Sequence, residues 1–253
     1  MVGCRVCGLH RLWNRYIRGT AVGWVRFGSL RRLMPIGEVF GLKRGQSLDL
    51  CLDRYYIERF LEQHASDIHG RVLEIGDNTY THRFGGARVR QSDVLHAAPG
   101  NPEATLVADL TCADHLAANA FDCIILTQTL QYIYDVRAAL RTLYRLLKPA
   151  GVLLATCPGI SQMSRRDAEQ WGEYWRFTTF SAHRLFAEVF PETAISVQAH
   201  GNVLVALAFL HGLLVTELRR AELEYHDPDY EVLITVRAQK PGERSEGPQD
   251  NPS

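Results

Sequence analysis

An open, doubly wound α/β domain is the fold class this sequence predicts, and three observations predict it. Short apolar runs of strand length alternate with longer stretches of helical period. The run at 121–126, Phe-Asp-Cys-Ile-Ile-Leu, is apolar almost throughout, as a strand buried on both faces must be. At 71–80 the sequence Arg-Val-Leu-Glu-Ile-Gly-Asp-Asn-Thr-Tyr ends an apolar run on an acid and opens a turn with glycine. That is how the first strand of such a sheet meets its ligand-binding loop.

Taken in order, residues 1–47 have weak periodicity and form a basic N-terminal arm. Residues 48–64 place Leu52, Tyr55, Tyr56 and Phe60 at helical spacing, with Asp53, Arg54, Glu58 and Glu62 between them. The first strand at 71–75 and the loop at 76–86 follow. A second strand spans 87–91 and ends at Ser92-Asp93, a third spans 104–108 and ends at Asp109, and 121–126 is the fourth. Residues 135–147 line up Val136, Leu140, Leu143 and Leu147 on one face, opposite Arg137, Arg141 and Arg145. This helix stops at Lys148-Pro149-Ala150-Gly151, and 152–156 is the fifth strand. The connection at 157–180 is long and holds Trp171, Tyr174, Trp175 and Phe177, the character of a lid or binding loop. Ser181 is expected to cap a helix that runs to Phe190 and is ended by Pro191. Residues 195–199 read as the next strand, 203–223 as an inserted helix weakened at His211-Gly212, and 231–237 as the last strand. From 239 onward Pro, Gly, Glu, Ser, Gln and Asp dominate, which predicts a disordered tail over 239–253 and one domain at 48–238.

Lys+Arg and Asp+Glu both number 28, so the net charge gives no reason to expect nucleic acid or an anionic membrane as partner. The balance is uneven along the chain. Residues 1–37 hold seven arginines and no acid, leaving 21 basic side chains against 28 acidic ones in the remainder. The 6 cysteines are scattered, which fits free thiols in a reducing, cytoplasmic compartment. Cys4, Cys7 and His10 have ligand-like spacing, but no second pair follows and no metal site is expected. No secretory signal is evident, and the longest apolar run, 203–215, is interrupted by His211 and Gly212 and is too short to span a bilayer.

Ligands of doubly wound sheets bind outside the carboxyl ends of the strands. Glu74, Asp93 and Asp109 each fall at or just inside such an end, and Gly76 lets the backbone approach a ligand closely. A carboxylate after the second strand can accept ribose hydroxyls, and one after the third can accept the exocyclic amine of adenine. Each residue also has a plain structural reading as a helix cap or turn; the ordered set carries the argument.

This set resembles the class I S-adenosylmethionine-dependent methyltransferases over roughly residues 50–238. The residues that carry the resemblance are Val72-Leu73-Glu74-Ile75-Gly76, Asp93, Ala108-Asp109-Leu110, Phe121-Asp122-Cys123-Ile124-Ile125 and Leu146-Leu147-Lys148-Pro149-Ala150-Gly151-Val152-Leu153. The resemblance implies a Rossmann-like sheet of seven strands, the last antiparallel, with helices on both faces. It implies S-adenosylmethionine as cofactor, with Glu74 and Gly76 at its amino-acid end, Asp93 at the ribose, and Asp109 with Leu110 at the adenine. Thr127, Gln128 and Tyr132 would then face the sulfonium and the acceptor, and Tyr56 or its neighbour Tyr55 would cover the cofactor. Asn78 and Tyr80 stand where the family has glycines, so the glycine loop is degenerate. Residues 54–58, 76–81, 128–131 and 174–178 are similar to a bacterial subgroup associated with glycan and natural-product pathways.

A hydroxyl acceptor needs a base within hydrogen-bond reach. The candidates are His183, His200, His211 and His226, with Asp227 behind them, and only the lid-adjacent His183 has a positional argument. Trp175 and Arg176 suit an acceptor pocket, as a stacking ring and a guanidinium for carboxylate or phosphate. The expectation is methyl transfer to oxygen or nitrogen of a small-molecule, sugar or glycan acceptor. A non-catalytic module serving as partner of a glycosyltransferase is the alternative, and a homodimer built on the 203–223 helix is a further expectation. An NAD-dependent oxidoreductase is disfavoured because the loop lacks the glycine triplet that a pyrophosphate needs.

Overall fold

The computed structural model describes residues 51–242. The basic arm, with Cys4, Cys7 and His10, and the tail beyond residue 242 lie outside the described residues. Seven strands form one sheet: β1 Gly70–Ile75, β2 Val89–His96, β3 Leu106–Val107, β4 Phe121–Thr127, β5 Leu147–Pro158, β6 Ile195–His200 and β7 Leu233–Gln239. Their order is β3-β2-β1-β4-β5-β7-β6. The first five run parallel to one another, and β7 lies antiparallel to both β5 and β6. The chain therefore winds one way from β1 and the other way from β4, which makes the β1–β4 junction the topological switch point.

The two-residue period of the strands decides the layers. Leu73, Ile124, Leu126 and Leu153 face one core, covered by α2 (Val136–Leu146) and, further along the chain, a helix at Thr179–Ala187. Val72, Cys123, Ile125 and Leu154 face the opposite core, where α1 (Leu52–Gln63) lays down Leu52, Tyr56, Ile57, Phe60 and Leu61. The connection after β5 carries α3 (Arg165–Trp171), followed by α4 (Thr179–Ala187). The cap of α4 is Thr178, which accepts from Ser181 N while Ser181 Oγ closes the reciprocal bond, so Ser181 is the third helical residue and not the cap.

Two strand boundaries differ from expectation. β2 continues to His96, so Asp93 sits three residues inside the strand. β3 is reduced to two residues. The expected long helix at 203–223 is three pieces: α5 (Val203–Leu210), a 3-10 turn at Val215–Glu217, and α6 (Arg220–Glu224). Leu213 N bonds Ala208 O and Gly212 N bonds Phe209 O, which closes α5 at its C-terminus in the manner of a Schellman cap. Among the described residues no helix is long and apolar enough to cross a membrane.

Gly70 shows how closely the sheet's lower edge is fitted. Its φ is +66°, and a Cβ there would lie 2.3 Å from Asp122 Oδ2. That oxygen already accepts from Arg71 N and Lys148 Nζ, both at 2.7 Å. Gly70→Ala should therefore cost about 1–3 kcal/mol of unfolding free energy in urea titration. A variant as stable as the parent would refute this account of the position.

Candidate active site

The carboxyl ends of β1, β2, β3 and β4 open into one cavity of about 1380 Å³. Its floor begins with Glu74, which is 2% exposed and shares the α1 side of the sheet with Val72. Tyr80 N donates to Glu74 Oε1 at 3.2 Å, and Thr81 N and Thr81 Oγ1 donate to Oε2 at 2.7 Å each. Burial pushes the Glu74 carboxyl up to about 7, against the lowering effect of the Thr81 bonds. Its carboxylate is thus the clasp of the loop, drawing residues 80 and 81 back over the end of β1.

This clasp explains a loop without a glycine triplet. Gly76, with φ +92°, is the only residue of 76–81 in the left-handed region, and a Cβ added to it would meet nothing within 4 Å. The open space above Gly76 is cavity, the kind of cradle into which a ligand's backbone-facing edge fits. Asn78 is half-buried, does not use a positive φ and is not part of the cavity wall. Tyr80 is buried in the wall, and Arg54 Nη1 of α1 donates to its hydroxyl at 2.8 Å. A short π-helical turn at Thr81–Gly85 follows at once.

Several other expected residues also line the cavity: Asp109, Leu110, Thr127, Gln128 and Tyr132. Asp109 is exposed and accepts from Thr111 N and Oγ1, both at 2.8 Å. Gln128 stands at φ +47°, a strained position for a side chain with a Cβ. Its amide bonds Thr156 O at 3.1 Å, which fixes the backbone immediately after β4.

Five expectations are corrected. Asp93 lies outside the cavity wall because β2 runs on past it. It accepts from Arg71 Nε at 2.7 Å, Gln91 Nε2 at 3.1 Å and Thr105 Oγ1 at 3.2 Å, while His96 occupies the strand end at the cavity. Tyr56 faces the core, donating to Leu223 O at 2.7 Å and stacking on His200 with centroids 5.5 Å apart. His183 is exposed, because α4 buries Ala182 and Phe186 and turns the intervening position outward. Trp175 donates from Nε1 to Ile133 O, and Arg176 bonds Gln162 O and pairs with Glu173 at 2.7 Å. Both fasten the connection after β5 and neither lines the cavity. Of the other histidines, His200 is half-buried against Tyr56 and desolvation lowers its pKa to about 4, whereas His211, at the end of α5, does line the cavity.

The fastened connection is a lid. Trp171 of α3 meets His96 edge-on at 5.4 Å, Tyr174 N bonds Gln131 O at 2.8 Å, and Tyr132 Oη donates to Asp167 Oδ2 at 3.3 Å. Burial first, and then the Asp167 charge, push the Tyr132 hydroxyl up to about 12, so it stays a neutral donor at physiological pH. His96, Arg54, Gln131, Asp167 and Trp171 are cavity residues that sequence reading missed. Trp171 had a signal in its place in an aromatic-rich connection, and Arg54 and Gln131 lie in segments that carry the subgroup resemblance.

A doubly wound seven-stranded sheet with its ligand cavity at the switch point matches what sequence comparison finds. The chain belongs to the methyltransferase domain family, whose model matches residues 51–202. It is 28% identical over 151 residues to the ubiquinone/menaquinone biosynthesis C-methyltransferases UbiE of Enterobacter sp. (strain 638) and Klebsiella pneumoniae (strain 342). That match takes in 58% of this chain and 49% of each relative, so the chain spans about half the length of the curated relatives it matches. Among solved structures, the fold is similar to that of an S-adenosylmethionine-dependent methyltransferase from Archaeoglobus fulgidus, at 11% identity and a TM-score of 0.50. The likeness covers 74% of this chain and 94% of that one.

Glu74 gives the site a pH signature. Its folded-state pKa lies above its unfolded value of 4.5, so folding favours the protonated form. The stability it contributes is complete below about pH 4.5 and is lost as pH rises to about 7, a difference of about 3 kcal/mol. His200 acts in the opposite sense over an overlapping range, so the comparison is with a variant. Chemical denaturation should show the slope of wild type minus Glu74→Gln to be negative between pH 4.5 and 7. Parallel pH profiles for the two proteins would contradict it.

Proposed function

We propose that this protein transfers a methyl group from S-adenosylmethionine to oxygen or nitrogen of a small-molecule, sugar or glycan acceptor. The observation that carries the reading is the cavity at the β1–β4 switch point, with open space over Gly76 in a chain of the methyltransferase domain family. When bound, the cofactor supplies an electrophilic methyl group; the chain's residues bind and align. Gly76 and Asp77, on the loop that Glu74 clasps, would hold the amino-acid end. His96 would stand at the ribose in place of Asp93, and Asp109 with Leu110 at the adenine. Thr127 and Gln128 would sit beside the reacting centre. Direct displacement needs alignment above all, and loop and lid are both held by multiple hydrogen bonds.

The cavity exceeds the roughly 300–1,000 Å³ usual for one small ligand, which supports room for a second molecule. The neutral Tyr132 hydroxyl suits holding an acceptor or Asp167 in place better than removing a proton. The names of the curated relatives refer to carbon methylation. The polar wall around Gln131, Tyr132 and Asp167 favours oxygen or nitrogen here. The alternative of a non-catalytic module drew its support from the irregular loop, and Glu74 gives that loop a formed structure.

Calorimetric titration of the full chain with S-adenosylhomocysteine tests the reading. Binding in the micromolar range is expected, and Asp109→Ala should weaken it by about ten-fold, the effect of one good hydrogen-bonded contact. Absence of binding at millimolar ligand would sink the proposal.

A further inference from the structure

A surface helix ordinarily turns polar side chains to water, and α5, Val-Leu-Val-Ala-Leu-Ala-Phe-Leu, has none. Val205, Ala206, Ala208 and Phe209 pack into the α1 side of the core. Val203, Leu207 and Leu210, spaced i, i+4 and i+7, form a stripe on the outer side and are 44, 48 and 44% exposed. The stripe runs into the cavity mouth, because Leu210 belongs to the cavity wall together with the exposed Tyr134, Met163 and Tyr174. Continuous exposed apolar surface of this kind marks a place where something docks.

The chain itself supplies the cover. Cys51, the first described residue, forms an antiparallel bridge with Leu214, just beyond the end of the stripe. Asp53 and Arg54, which follow it, line the cavity. Residues 1–50, which hold the basic arm, therefore join the domain beside both the stripe and the mouth. Ten residues of extended chain span about 33 Å and α5 is about 12 Å long, so the arm has length to spare.

Its composition is complementary to that surface. Leu9, Leu12, Trp13, Tyr16 and Ile17 are interleaved with Arg11, Arg15 and Arg18, and no acid occurs before Glu38. On the cavity wall Asp77, Asp109 and Asp135 are exposed, and Arg165 is the one exposed base. An acidic mouth draws a basic segment towards it over about 8–10 Å at ordinary ionic strength.

Two other occupants fit less well. Three half-exposed aliphatic side chains fall far short of the roughly 800 Å² per partner that a stable dimer buries. The C-terminal tail departs from the other end of the sheet, where Ala150 N bonds Pro241 O and Lys240 N bonds Gly151 O at the start of β5. It also carries Glu243, Glu246 and Asp250 against Arg244, the wrong sign for this mouth.

We propose that residues 1–50 fold back on their own chain and pack over Val203, Leu207 and Leu210, so that the arm forms the α5 side of the cavity mouth. The contact is apolar at the stripe, and the arginines steer it to the acidic mouth. Tethering holds the arm at an effective concentration of about millimolar, at which a small contact suffices. The contact stands whether or not the cavity holds S-adenosylmethionine, so its failure leaves the methyltransferase reading untouched.

The test uses the full chain with p-benzoylphenylalanine, an apolar photoreactive residue, in place of Leu207. Irradiation, a denaturing gel and peptide mass spectrometry then read what lies against it. Cross-links within one chain to residues 1–50 are expected. Their yield should be about ten-fold above that from the same probe at Phe180, an exposed residue of α4 on the opposite side of the sheet. Arg11→Glu, Arg15→Glu and Arg18→Glu together should lower the yield about three-fold or more. If the probe at Leu207 prevents folding, it is placed at Leu210 with the same expectations. Cross-links to a second chain in place of the arm overturn the proposal. So do equal yields from the α5 and α4 probes, no cross-link to residues 1–50, or a yield unmoved by the charge reversals.

Discussion

The hydrogen bonds that Tyr80 N, Thr81 N and Thr81 Oγ1 give to Glu74 hold the site together. A carboxylate at the end of a central strand is expensive to bury, and Glu74 is buried because the loop surrounds it with donors. In return it fixes where the loop turns, and so where the cavity begins. The same turn brings Tyr80 under Arg54 of α1, linking the loop to the helix that covers that face of the sheet. A loop with several glycines can find such a path through backbone freedom. This one finds it through side-chain acceptors, and needs a positive φ only at Gly76.

The sheet places everything else. Because β1 and β4 are neighbours with connections leaving in opposite directions, their carboxyl ends form a cleft that no crossover covers. The lid covers it from the side of β5, held by Tyr174 N on Gln131 O, by Tyr132 on Asp167 and by Trp171 against His96. These contacts reach from the turn after β4 to the end of β2.

Much of the fold was readable in the sequence because it depends on patterns that survive tertiary context. The apolar run of β4, the one-sided α2 and the alternation of strands and helices each bury what their period says they bury. Strand ends were less readable. Asp93 looked like a terminal acid because Ser92-Asp93 resembles a turn, yet pairing with β1 carries β2 to Leu95 and pairing with β3 to His96. The cost was one site residue: Asp93 is consumed by Arg71, and a histidine takes the strand end. Long-range docking was not readable at all. Nothing local says that Trp171 will meet His96, or that Trp175 and Arg176 will brace the lid from outside. The helix at 203–223 ends where His211-Gly212 weakens it, and the apolar content beyond does not resume it as one helix.

Gln128 has a consequence for the evolution of this chain. A residue with a Cβ held at φ +47° stores strain that glycine would release, at a point fixed by Thr156 on one side and Gln131 on the other. Exchange for glycine would relieve the main chain and at the same time remove the side-chain oxygen that Gln131 Nε2 bonds. A glycine here would therefore ease the main chain at the expense of the side-chain order beside it. In the turn after β4, relief of backbone strain and retention of the Gln128–Gln131 bond thus pull in opposite directions.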